Sequence, residues 1–338
     1  MRLLCVCLAM LFSGLLAAGC QGDATQEEDK NDPEMPCQGL DCPPQGHQYA
    51  TRAIQLPDQK LFAIDIDGDG RPDNQLRSVV RTIAAAGFDL DAQLAAALAA
   101  GSGIVLAEVR PLGLASGPVT VSLHSAAPPM PGAARPRFDG TDRFAVLPGQ
   151  VPTLLSGRLE GTQLQTLLPR EQTTATLARF ELRLPVGGAV LPLTAYGVHL
   201  QGTISPQEIT EGELHGVVRA QDIEAQVIPA IAALVTFQIN HFPMAQATES
   251  IVRLLEDPGH PVTQRKCMVA RDCCQRVADR PTCKILPEEV RDNPVVAAVL
   301  RPDVQVFDGD QWRPIPGGAN KNALSLGIGY TAVKARFQ

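Results

Sequence analysis

Apolar residues recur along this chain with two different periods, and the change between them divides it. Leu76, Val79, Val80 and Ile83 fall at helical spacing, Gly87 interrupts them, and Leu90, Leu94 and Leu98 begin a second run that stops at Gly101. This predicts a small helical hairpin whose apolar stripe is core. From Gly103 to Arg219 the period becomes two. Phe180, Leu182 and Leu184 alternate with Arg179, Glu181 and Arg183, and Tyr196, Val198 and Leu200 alternate with Gly197, His199 and Gln201. Gly and Pro punctuate these runs, which reads as an antiparallel sheet with one wet face. A helix is predicted over Asp222 to Phe237 with Pro229 as a kink, and a shorter one over Thr248 to Glu256 that stops before Pro258. Asn293 is placed to cap a helix opening at Pro294 and ending near Leu300, and Leu324, Leu326, Ile328 and Tyr330 alternate as a last strand. The expected fold class is α+β, mainly β: an antiparallel sandwich or partly closed barrel with flanking helices and a disulfide-rich segment.

The N-terminus changes the picture by giving the chain an address. Arg2 precedes a run from Leu3 to Leu16 that is almost entirely apolar, and Ala17, Ala18 and Gly19 fit a signal peptidase pocket. The run is short for a membrane span, which needs about 20 residues. Cys20 follows directly, and the stretch resembles the lipobox of bacterial lipoproteins, although Ala17 stands where that family prefers Leu. The resemblance implies that residues 1–19 are removed, that the Cys20 thiol carries lipid, and that the protein is held in the cell envelope. Gln21 rather than Asp after the cysteine implies the outer membrane. Residues 20–53 are acidic, polar and Pro-rich, the composition of a flexible tether. Residues 54–102 are expected to form a cation loop with the helical hairpin, and residues 103–338 a β-rich domain with a Cys-rich insertion at about 257–302.

The most distinctive internal motif runs from Asp65 to Asp73, with aspartates at 65, 67, 69 and 73 and Gly70 where a sharp turn is needed. Alternate carboxylates converge on a hard cation, so the expected ligands are Asp65, Asp67, Asp69, the Arg71 backbone carbonyl and Asp73, and the expected cofactor is structural calcium. The spacing resembles the calcium loops of thrombospondin type 3 repeats and dockerins. It resembles an EF-hand less, because position twelve is Leu76 and not a bidentate Glu. That departure puts the expected affinity in the weak, extracellular class, about millimolar to submillimolar.

Six cysteines remain behind Cys20: Cys37, Cys42, Cys267, Cys273, Cys274 and Cys283. An even number in an oxidising compartment predicts disulfides. Cys37 and Cys42 would close a small ring in the tether. The vicinal pair is disfavoured as a bond to itself, so Cys267 is expected to join Cys273 or Cys274, and Cys283 the other. Zinc, which favours Cys-x2-Cys pairs, is the rival reading.

The succession of lipobox, polar tether, Asp-rich loop before helices, Gly-rich β region, Cys-rich segment running into Ile285 to Val290 with Asn293-Pro294, and closing Ala323 to Gly327 resembles a group of bacterial lipoproteins. That resemblance covers most of the mature chain and implies architecture without an activity.

Candidate chemistry is otherwise sparse. A formal net charge of -7 argues against nucleic acid, whose phosphates require a basic face, and 4% aromatic residues with Trp312 as the single tryptophan leave little stacking surface for sugars. Nucleophile-elbow, zinc-protease, phosphate-loop and dinucleotide motifs are absent. His199 and His215 sit on successive predicted strands where a hairpin centred near Gln207 would make them face each other, a possible transition-metal pair or two solvated histidines. Asp139, Asp142, Asp308 and Asp310 stand beside Gly in polar turns, and Trp312 is expected to cover the edge of the core. Three function classes follow. The first is a non-enzymatic, envelope-anchored binding or scaffold module with an envelope protein or ligand as partner. The others are a periplasm-facing carrier of lipid or a small apolar ligand, and a hydrolase with an unrecognised site.

Overall fold

The period-two segments become strands of one antiparallel sheet, and the sheet closes on itself. In chain order the strands are β1 (His47–Gln55), β2 (Val105–Pro111), β3 (Gly117–Ser125), β4 (Arg143–Phe144), β5 (Thr153–Glu160), β6 (Gln163–Thr166), β7 (Arg179–Val186), β8 (Ala189–Ile204) and β9 (Glu208–Arg219). They continue with β10 (Gln275–Val277), β11 (Arg280–Thr282), β12 (Phe307–Asp308), β13 (Gln311–Trp312), β14 (Ala323–Lys334) and β15 (Arg336–Phe337). The computed structural model describes residues 46–85, 89–111, 116–130, 134–186, 189–241, 275–277, 280–282 and 285–337.

The large sheet runs β6-β5-β3-β2-β1-β14-β9-β8-β7, and a further pairing of β6 with β8 closes the ring. The length of β8 makes closure possible. Its first half pairs with β7 from Ala189 to Tyr196, and its second half pairs with β6 at Gln201 to Thr203. The barrel is therefore an α+β, mainly β architecture of antiparallel strands, as the alternation implied. Its interior is packed with Val121, Leu123, Leu155, Phe180, Leu200 and Leu326, all nearly inaccessible to water.

Helices close one part of the barrel. They are α1 (Leu76–Ala85), α2 (Leu90–Ala99), α3 (Ala220–Asp222), α4 (Ile228–His241), α5 (Pro287–Arg291) and α6 (Pro294–Val299). Asp89 caps α2 by accepting the Ala92 N–H, and Asn293 caps α6 by accepting the Val295 and Val296 N–H groups. Between α3 and α4 the chain forms one π-helical segment, Ile223–Val227, in which the Ile228 N–H reaches back to the Ile223 carbonyl. The expected kink at Pro229 is absorbed there: proline has no N–H for the ordinary ladder, and the wider turn just before it shifts the hydrogen-bond register. Among the described residues no helix is long and apolar enough to cross a membrane.

Three expectations need correction. The tether was expected to reach residue 53, yet His47–Gln55 form β1 between β2 and β14, with Tyr49, Ala50 and Thr51 buried. Polar neighbours such as His47, Gln48 and Arg52 hide that strand from a hydropathy reading. Alternation alone puts Tyr196 on one face with Val198 and Leu200, but Gly197 adopts φ +60 and the pairing to β9 shifts register between Tyr196 and His199. The bulge turns Tyr196 to the outer face, against Phe307. A side chain at Gly197 would come within 2.5 Å of the Trp312 ring, so the close approach requires glycine. Finally, the wet face at β8, β9 and β14 is only partial: Glu211 is exposed and Gln201, Thr203 and Glu213 are half-buried, while a second apolar layer of Ile66, Tyr196, Val217, Val306, Phe307 and Trp312 covers another part of the outside. Trp312 does cover the core edge, and its indole N–H donates to the Pro169 carbonyl at 3.0 Å.

Cys20, Cys37, Cys42, Cys267, Cys273, Cys274, Cys283 and the segment Thr248 to Glu256 lie outside the described residues. The short hairpin of β10 and β11 stands in the sequence between Cys274 and Cys283.

Candidate functional site

Leu76 and Val79 pack against the core and Leu98 against Ala50 and Leu106, so the apolar stripes of α1 and α2 meet the barrel only in part. Between them, α4 and the mouth of the barrel lies a cavity of about 310 Å³. Val79 and Ile83 of α1 and Leu90 and Leu94 of α2 form one wall. Ala230, Ile231 and Leu234 of α4 form another, and Leu324, Leu326 and Ile328 of β14 form the floor. Among the described residues Gln93 is the one polar side chain in the lining. A much smaller void of about 20 Å³ continues into the barrel and shares Ile54, Leu182 and Ile328 with the cavity. The barrel itself is thus filled, and the space lies at its capped mouth. The volume is at the lower end of ligand pockets, roughly 300 to 1,000 Å³. Small residues make the room: α2 reads Leu-Asp-Ala-Gln-Leu-Ala-Ala-Ala-Leu-Ala, and alanines occupy 230, 232 and 233 in α4.

The acidic loop sits on the outside of the same barrel. Asp65, Asp67 and Asp73 each bring a carboxylate oxygen within 4.8 Å of the others. Gly68 at φ +88 and Gly70 at φ +84 provide the turns that fold the loop back. Asp65 accepts the Gly68 and Gly70 N–H groups at 2.7 and 3.2 Å, and Asp73 accepts the Ile66 N–H at 2.9 Å. Asp69 is not in the converging trio; its carboxylate accepts the Arg71 N–H at 2.8 Å. Two cations face the trio, Arg170 at 3.0 Å from Asp65 and Lys321 at 3.5 Å from Asp67. Burial, reinforced by Asp67, Asp303 and Asp69, pushes the Asp73 carboxyl up to about 7 despite its bond to the Ile66 N–H. The loop is fastened to the sheet: Asn74 donates to the Gly327 carbonyl at 3.0 Å, and the Gln75 N–H donates to Ser325 Oγ at 2.8 Å.

His199 and His215 do face each other, paired in register across β8 and β9, with ring centroids 5.8 Å apart and planes stacked. The expectation of solvated histidines fails, because both are fully buried. His199 Nδ1 lies 3.3 Å from the Leu167 carbonyl oxygen and so carries the proton, and His215 Nε2 lies 3.1 Å from Glu213 and does likewise. Stacked rings point their in-plane lone pairs alongside each other and not at one shared point. Among the described residues the only cluster of three or more potential metal ligands is the aspartate trio.

The pair predicts an acid response. Burial, with His215 adjacent, lowers His199 to about 4 from an ordinary value of 6.5. The unfolded chain therefore takes up a proton that the folded one refuses. The His199 contribution to stability is whole above pH 6.5 and is lost as pH falls toward 4. Denaturant midpoints measured across that interval should fall for the wild type, and the fall should flatten in His199→Asn.

Asp139 and Asp142 behave as turn residues: Asp139 accepts the Thr141 N–H, and Asp142 accepts the Arg137 and Phe138 N–H groups. Asp308 and Asp310 pair with Arg313 and Arg219. Comparison with protein-family models, with curated proteins and with solved structures finds no match.

Proposed function

We propose that this chain is an exported, lipid-anchored, non-enzymatic binding protein that holds an apolar molecule in the cavity beneath its helical cap. The cavity carries the reading. Its walls present aliphatic surface that an apolar molecule would cover, at about 25 cal/mol per Å² of apolar surface removed from water. Among the described residues the lining has a single polar member, Gln93, and so offers water few hydrogen-bond partners. An apolar ligand finds the contacts there that water does not make. The lipobox at Cys20 and the polar tether behind it would hold the barrel at the outer membrane, where lipids are the abundant apolar molecules. Calcium bound at Asp65, Asp67 and Asp73 would stiffen the loop that leads straight into α1, one wall of the cavity. A scaffold role needs no cavity, and among the described residues the lining offers no nucleophile and base for a hydrolase.

Native mass spectrometry of the unacylated Cys20→Ala protein, purified without detergent, tests this. We expect a co-purified apolar molecule that organic solvent removes, after which the protein binds a neutral fluorescent apolar probe saturably. An empty protein that also ignores the probe would refute the proposal.

A further inference from the structure

We infer that the ligand is a single-chain amphiphile with an anionic head, a fatty acid in its simplest form, and that Arg301 receives the head. This inference rests on the apolar-ligand reading above and adds a chemical class and a direction to it. Among the described residues, hollows with lining charges of opposite sign flank the cavity. One, of about 350 Å³, shares Leu56, Val80 and Leu90 with the cavity and carries Asp58, Asp89 and Asp91. The other, of about 470 Å³, shares Ile223 and Leu300 with it and carries Glu224, Arg291 and Arg301.

In the second hollow, Arg291 is spoken for: its Nε lies 2.7 Å from the Glu224 carboxylate. Arg301 is exposed and has no ion pair or hydrogen bond among the described residues. It follows directly on Leu300, a residue that lines both spaces at the C-terminal end of α6. A chain seated against Leu326 and Ile231 with its head emerging past Leu300 meets a guanidinium with no partner among the described residues. A chain emerging past Leu90 meets the carboxylates of Asp89 and Asp91, with Asp58 held by Arg81 at 3.5 Å. A planar guanidinium suits a carboxylate or phosphate, and such charge-assisted bonds exceed neutral ones in strength. The aliphatic walls select the tail, and the asymmetry of charge selects the head and orients the molecule.

Displacement of the neutral probe from Cys20→Ala protein by saturated fatty acids and by the alcohols of the same length separates the two claims. Affinity is expected to rise about fourfold per methylene until the cavity is full and then to level off. The acid should bind at least tenfold more tightly than its alcohol. Arg301→Ala should bring the two to parity, Arg301→Lys should keep much of the difference, and alkyl phosphates should follow the acids. If acid and alcohol bind equally to the wild type, or if Arg301→Ala leaves their ratio unchanged, the head assignment is wrong while apolar binding stands. If neither displaces the probe, the cavity reading fails with it.

Discussion

Ala230→Phe is expected to make the protein harder to melt and, in the same stroke, unable to hold an apolar ligand. Ala230 lies on α4 with its side chain at the cavity wall, half-buried, so a larger side chain there grows into space and not into neighbours. Burying an aromatic ring contributes about 1.5 to 3 kcal/mol. Helix propensity takes back roughly half a kcal/mol and side-chain ordering somewhat more. A net gain of about 1 kcal/mol corresponds to a rise of roughly 2 to 4 °C in Tm for a domain of this size. The ring occupies the volume that a ligand would fill, so probe affinity should fall by at least about a hundredfold, equivalent to roughly four lost methylene contacts. Leu326→Ala runs the other way. Leu326 is 1% exposed on the cavity floor, and its truncation should cost about 3 to 5 kcal/mol in the ligand-free protein. Saturating ligand should recover part of that loss only if it reaches the enlarged space. Calorimetry of the two variants, with and without a saturated fatty acid, checks both directions. A neutral or destabilising Ala230→Phe would mean that the space is already filled.

Much of the scaffold is written in short-range pattern, and most of the cavity is not. The periods of α1, α2 and β7, the Asn293-Pro294 cap and the turn glycines of the acidic loop each depend on residues within a turn or two, and each stands where the sequence places it. Tyr196 departs because one left-handed glycine before Val198 inverts the alternation, and a glycine in a strand is silent about which way it bends. His199 and His215 are correctly paired by hairpin counting but wrongly solvated. Their burial is imposed by segments far away in sequence, including Phe62 and the loop after it, whose backbone closes over Gly327. The cavity joins Ile54, Leu94, Ile231 and Ile328, which no periodicity relates. Its one local trace is the run of alanines in α2 and α4, too small to fill the space that their helices span.

Calcium should bind at the Asp65 loop and stabilise the protein, and the increment should grow with pH. The donors fit a hard cation: three carboxylates with oxygens converging within 4.8 Å, one of them, Asp67, almost wholly buried. Three negative groups against Arg170 and Lys321 leave the cluster net negative. Dissociation in the millimolar to submillimolar class follows from the missing bidentate Glu, and calcium at 100 times the dissociation constant then contributes about 2.7 kcal/mol. Asp73 supplies the pH dependence. Its folded value of about 7 lies above its ordinary 3.8, so in metal-free protein its contribution is complete below pH 4 and is lost as pH rises through 7, where an unwelcome charge is forced into the loop. A divalent cation beside that charge reverses the penalty. Melting curves with calcium and with chelator should therefore nearly coincide at pH 5 and separate at pH 8. Asp73→Asn should cross over: no charge remains to be penalised, while the bond from the Ile66 N–H can still be accepted. At pH 8 this variant should be more stable than wild type in chelator and less stable in calcium, and Asp67→Ala should abolish the heat of calcium binding. Coincident wild-type curves at pH 8, together with no heat on titration, would show that Arg170 and Lys321 alone neutralise the trio.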